Sequence, residues 1–222
     1  MTDRGQAALR LSPERFTCGP SSMTWRGGRL EIDVDEVSSL PLVSRMRGRI
    51  TVTPSAVTGV EMLLKADGTH VWRPFAPVAK IEVDLNRGWS FTGHGYFDAN
   101  FGTRALEDDF RRWTWGRYPT AGGATCFYDA DLRDGTRLAS AVRFGADGGA
   151  EEIAPPPVAP MRRSAWMVRR ETRADPGYRP VQVRGMLDAP FYTRPPSGPS
   201  STGSRRWAST RRSTATASPR PG

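Results

Sequence analysis

Apolar residues in this chain return at every second position in short runs, and a turn signal ends each run. Leu30, Ile32 and Val34 alternate with Glu31, Asp33 and Asp35, and Ile81, Val83 and Leu85 alternate with Glu82 and Asp84. A period of two lays one face of a strand on a core and the other in water, which a helix cannot do. Gly27-Gly28, Asp67-Gly68, Asn86-Arg87-Gly88 and Asp134-Gly135 supply the turns. Strands are therefore predicted over 25–26 and 29–34 around the Gly turn, 47–53 (stopped by Pro54), 57–64, 80–85, 89–96, 125–131 and 137–144. Residues 70–73 form the return strand after Asp67-Gly68, and later strands are expected at 167–172 and 178–186. Residues 2–22 are polar without a clear period. Only 104–113 (RALEDDFRRW), with Leu106 and Phe110 four apart, has a helical spacing. Short strands with turns every eight to twelve residues predict an all-β antiparallel barrel or sandwich.

Composition sets limits around that core. The 222 residues carry a net charge of +9, but six arginines and no acid fall between Arg194 and Gly222, and without them the body is +3. Lys65 and Lys80 are the only lysines, the usage of a GC-rich, Arg-preferring genome. Nucleic-acid binding is accordingly not expected, except as a property of the basic tail alone. Residues 153–160 (IAPPPVAP) read as an extended linker. Residues 194–222, without an apolar period, read as a disordered basic tail following a domain at 1–193. Two cysteines, Cys18 and Cys126, make no disulfide framework, and a reduced compartment is the simpler expectation. No run has the length of a transmembrane helix and the first residues show no signal-peptide pattern, while peripheral contact with a membrane stays open.

Residues 89–119 (WSFTGHGYFDANFGTRALEDDFRRWTWGRYP) hold Trp89, Trp113 and Trp115, three of the seven tryptophans, with His94, one of two histidines. Aromatic walls mixed with titratable groups suit a site for an apolar substrate better than a plain core strand. The second histidine, His70, lies upstream in THVWRPF beside Trp72. Glu107, Asp108 and Asp109 form an acidic run expected on a solvated face. No CxxC, HExxH or facial arrangement points to a metal, and no GxGxxG or GxSxG carries nucleotide or hydrolase chemistry.

Read together, HVWRPFAP at 70–77, GHGYFDANFGTRALEDDF at 93–110 and WTWGRYP at 113–119 resemble the carotenoid 1,2-hydratase (hydroxyneurosporene synthase) family of purple bacteria. SSLPL at 38–42 and MLDAPFYTR at 186–194 extend the likeness over nearly all of 1–193. The resemblance implies a lipocalin-like β architecture and a cofactor-free, acid-catalysed addition of water to the terminal double bond of an acyclic carotene such as neurosporene or lycopene. It implies as site residues His70, Trp72, Tyr96 and Asp98. It also implies peripheral contact with the intracytoplasmic membrane from the cytoplasmic side, and other carotenoid-pathway enzymes as partners. Two departures from the family pattern lead us to expect an N-terminal part missing before MTDRG and a frameshifted ending. One codon choice for 202–222, shifted by one nucleotide, encodes VGVHEALDGDRFASPW, which resembles the family's C-terminal region. Such a product would lack its last strands and could be inactive.

The chemistry assigns roles to these residues. An isolated alkene is a weak base, so a well-aimed acid must protonate C2 to leave a tertiary cation at C1 for water to capture. Asp98, surrounded by aromatics, is the expected acid, kept in its neutral form by burial; the alternative is a turn Asp capping a loop. Tyr96, two residues away on an extended strand, faces the same side and holds the water or relays a proton, or is simply a core tyrosine. His70 orients or recharges Asp98 or accepts the water's proton, or is a bonded structural residue. Trp72 faces the cation or stacks on the polyene, or packs in the core. Trp89, Trp113 and Trp115 are expected to line an apolar slot for the substrate, with core packing as the alternative for the last two. A non-catalytic, lipocalin-like carrier of an apolar ligand is the competing function.

Overall fold

The computed structural model describes residues 4–38, 43–181, 187–189 and 192–194. The expected β segment 178–186 lies partly outside these residues, as do most of SSLPL and the tail beyond Arg194. The chain divides into two compact units, Met1–Val57 with Ala76–Phe97, and Thr58–Phe75 with Asp98–Gly222.

The first unit begins with β1 (Leu9–Leu11), β2 (Arg15–Cys18), β3 (Ser21–Arg26), β4 (Arg29–Val37) and β5 (Arg45–Pro54). In chain order β6 (Met62–Leu63) follows, in the second unit. Next come β7 (His70–Leu85) and β8 (Trp89–Gly102), whose residues are shared between the units. In the first unit the antiparallel order is β1-β2-β3-β4-β5-β7. The alternation read from sequence becomes two cross-strand rows: Trp25, Leu30, Val52 and Ile81 in one, Met23, Ile32, Ile50 and Val83 in the next. Directly opposed side chains are the packing unit of a sheet, and Leu30, Val52, Ala76 and Ala79 form the buried centre. Beyond these rows along β4 and β5, Arg49 pairs with Asp33 at 2.8 Å and Arg45 with Asp35 at 2.7 Å. Gly48, at φ +145°, faces the Asp84 carbonyl so closely that a Cβ would lie 2.1 Å from it, so no other residue fits there.

The second unit contains a meander ordered β12-β11-β10-β9. Its strands are β9 (Phe110–Thr120), β10 (Gly123–Leu132), β11 (Arg137–Gly145) and β12 (Ala150–Glu152). Register places Trp115, Tyr128 and Ser140 side by side, with Arg117, Cys126 and Val142 in the next row on the same face. The opposite face carries Thr114, Asp129 and Ala139. It meets the hairpin of β13 (Val158–Met161) and β14 (Arg170–Arg173) through Arg173 on Asp129 and through Tyr118 with Thr172. A last backbone hairpin joins β15 (Leu187–Ala189) and β16 (Tyr192–Arg194).

The all-β antiparallel class is as expected, a lipocalin-like architecture is consistent with it, and the sheets are open among the described residues. Several boundaries differ. Residues 2–22 contain β1, β2 and the start of β3; Leu9, Arg10 and Leu11 are all exposed, so no alternation marked them. The expected strands at 70–73 and 80–85 are one strand. Pro74 and Pro77 fall between the residues that pair with β6 (71 and 72) and those that pair with β5 (79–85), so neither of these two ladders needs their missing N–H. Of 57–64 only Met62–Leu63 is strand. The predicted helix is a single turn, α1 (Leu106–Asp109), because Phe110 is buried as the first residue of β9. The last three linker residues, 158–160, form β13 together with Met161, and Met167, at φ 60°, turns the chain before β14 starts at Arg170.

Candidate functional site

His70 and Trp72 are two apart on β7 and so project to one side. They are 2% and 1% exposed. The Trp72 indole Nε1–H donates to Asp98 Oδ2 at 2.8 Å. Asp98 is half-buried within β8 and is not a turn residue. The Trp72 ring lies 5.8 Å from that of Tyr128, which in turn stacks on Trp113 at 6.2 Å and 19°. Burial pushes the Tyr128 phenol upward, and the negative charge of Asp98 adds to the effect. The Cys126 thiol is pushed up to about 12, by burial first, with Asp98 raising it and Arg117 opposing. Asp98 thus sits electrostatically against the face of the meander that carries Tyr128 and Cys126.

The structure pairs His70 with a different carboxylate. His70 Nε2 lies 2.9 Å from Asp109 Oδ2, and Lys65 Nζ bonds Asp109 Oδ1 at 2.8 Å. Arg104 stands 3.6 Å away, and Phe110 meets the imidazole edge-on at 4.9 Å. Gly102 closes the other side of the ring, where a Cβ would come within 2.8 Å of Nδ1. The Lys65 hydrogen bond, followed by that of His70, holds the Asp109 carboxyl below its ordinary range. Asp109 is therefore an anion that accepts from Nε2–H. The expectation of a solvated acidic run fails at this residue, which is 7% exposed, and holds for the exposed Glu107 and Asp108.

The remaining site residues divide between the two units. Trp115 is buried beside Tyr128, and Trp113 is half-buried. Tyr96 is half-buried in the first unit, two residues before Asp98 along β8. Trp89, also in the first unit, is 61% exposed. Among the described residues no group of three or more His, Cys, Asp or Glu side chains converges as a metal site.

Comparison with known proteins gives this geometry a context. The family profile described as carotenoid hydratase CrtC matches residues 1–207. The chain belongs to that family. It is 62% identical over 194 residues to the acyclic carotenoid 1,2-hydratase of Cereibacter sphaeroides, covering 87% of this chain and 70% of the relative. It is 56% identical over 195 residues to the enzyme of the same name from Rhodobacter capsulatus, covering 87% of this chain and 69% of the relative. A relative of that name from Thiocapsa roseopersicina is 43% identical, and the chain spans 48% of its length. No solved structure matches the chain.

Within this carotenoid hydratase family chain, sequence reasoning did not single out Tyr128 or Lys65 and misplaced Asp109. The partners of Asp109 lie 39 and 44 residues away, so no local spacing announces them. Tyr128 stands in an ordinary alternating strand, and only the register of β9 and β10 shows that it borders Trp115.

Proposed function

We propose that the chain hydrates the terminal C1=C2 double bond of an acyclic carotenoid, with Asp98 as the proton donor. The observation that carries this reading is the Asp98 carboxyl, held by the Trp72 N–H beside the aromatic face of Tyr128 and Trp113, in a chain of the carotenoid hydratase family. Asp98 Oδ2 accepts from the indole, and the Asp98 carboxyl carries the transferable proton. That proton passes to C2, and the π pair becomes the new C2–H bond. The tertiary cation at C1 is stabilised by the electron-rich ring faces, an interaction worth about 2 kcal/mol when desolvated. Water oxygen then bonds C1, and the proton it sheds restores the Asp98 carboxyl. One water is added and no electrons are exchanged, so the sequence of steps is complete without a cofactor. The substrate is dissolved in lipid, so the reading includes peripheral contact with a membrane.

The test is Asp98→Asn, which keeps the shape and an acceptor for the Trp72 N–H but has no acid proton. Hydration of neurosporene or lycopene, followed by chromatography of the products, should fall by about 10²–10⁴-fold, the usual weight of a positioned general acid. A folded Asp98→Asn protein that hydrates at the unmodified rate would remove Asp98 from this role.

A further inference from the structure

Ser140 of β11 stands directly opposite Tyr128 of β10 in the antiparallel register. Opposed residues of such a pair project to the same face, so the Ser140 hydroxyl shares the face of Tyr128, Trp115 and Cys126. It is 4% exposed, and its Oγ has no hydrogen-bond partner among the described residues. Its neighbours two positions away on the strand, Leu138 and Val142, are apolar and offer no bond. Trp113 Nε1, on a ring stacked against Tyr128, is likewise buried and unpartnered among the described residues. Buried polar atoms in folded proteins are almost always bonded to something. Here two such atoms border one tyrosine, whose ring neighbour Trp72 carries Asp98. Ser140 can both accept and donate a hydrogen bond.

We propose that Ser140 binds the water that adds to C1. The proposal rests on the hydratase reading above. An aromatic wall that shelters a cation also excludes bulk water, so capture depends on a water already held at the wall. Ser140 Oγ accepts one O–H of that water and leaves its lone pair free for C1. The C–O bond forms, the water's second proton returns to the Asp98 carboxylate, and Ser140 neither gains nor loses a proton. Protonation of C2 does not involve Ser140 at all.

That separation supplies the test. In D2O the cation has two fates: capture by water, giving the hydroxylated carotenoid, or loss of a proton, giving back a carotene that has acquired deuterium. Ser140→Ala should lower hydration by about tenfold or more, the weight of one hydrogen bond. It should leave deuterium incorporation into recovered carotene intact, so that the exchange-to-hydration ratio rises by the same factor. Removing an unpartnered hydroxyl is not expected to impair folding, and a thermal melt of the variant confirms this. Hydration at the unmodified rate overturns the proposal, and so does a proportional fall of hydration and exchange together, which marks a general structural defect. If Asp98→Asn leaves both processes untouched, the hydratase reading with Asp98 as acid falls first, which is distinct from a failure confined to Ser140.

Discussion

Trp72 is buried to 1% and its Nε1–H lies 2.8 Å from Asp98 Oδ2, so one substitution separates ring packing from the bond. Trp72→Phe keeps an aromatic ring in the cavity and removes the donor. Two losses are expected: about 1–2 kcal/mol of packing for the smaller ring, and about 1 kcal/mol or more for the hydrogen bond. A double-mutant cycle with Asp98→Ala isolates the second, because the packing loss appears in both backgrounds and cancels. Urea denaturation of the four proteins should give a coupling of about 1 kcal/mol or more. In the hydration assay, Trp72→Phe should lower kcat by about ten- to a hundredfold with little change in KM, since an acid aimed wrongly by about 1 Å loses that much. A coupling below about 0.3 kcal/mol, within ordinary additivity, would refute the view that this bond positions Asp98. So would a kcat that survives the loss of the donor.

Two further outcomes follow from other parts of the molecule. Asp109 has a folded-state carboxyl held below its ordinary value by Lys65 and His70. Its contribution is therefore full above about pH 4, the unfolded value, and is lost as pH falls through the folded value. The stability difference between the parent and Asp109→Asn, measured by urea denaturation, should thus shrink between pH 7 and pH 3; a constant difference would contradict the pairing. Trp89 and Phe91, two apart on β8 and both exposed, present aromatic surface of the kind that sits at membrane interfaces. Co-flotation with anionic lipid vesicles is expected, and Trp89→Ser with Phe91→Ser should reduce it; protein that stays at the bottom of the gradient would count against membrane contact.

What the sequence made legible depended on whether a residue's partners lay within one strand or across many. Leu30, Ile32, Ile81 and Val83 were readable because each strand has one buried face, and alternation records that directly. The spacing of two placed His70 and Trp72 on one side of β7 for the same reason. Exposure on both faces hid β1, and the lack of alternation over 74–79 hid that β7 runs unbroken from His70 to Leu85. At the site, Trp113 drew notice by residue type, whereas Ser140 and Tyr128 acquire meaning only when β10 and β11 are set in register. Asp109 was misread because an acid in the run Glu107-Asp108-Asp109 resembles its neighbours in composition, and differs only in being the residue turned inward before Phe110.

The partners of Asp109 decide what that carboxyl group can do. Asp109 faces an ammonium, a guanidinium and an imidazole N–H. Three donors of that kind favour the carboxylate over the acid, and a group held as an anion has no proton to give an alkene. Asp98 accepts on Oδ2 from the indole N–H of Trp72, whose ring neighbours that of Tyr128. His70 then belongs with Asp109 in function as in contact. Pinned by Asp109 on one side, Gly102 on the other and Phe110 at its edge, it fixes the first residues of β7. Trp72 is two residues further along, on the same face, so the anchoring of His70 is also the anchoring of the indole that aims Asp98. In the proposed hydration, His70 therefore acts through the placement of Trp72 rather than on the substrate.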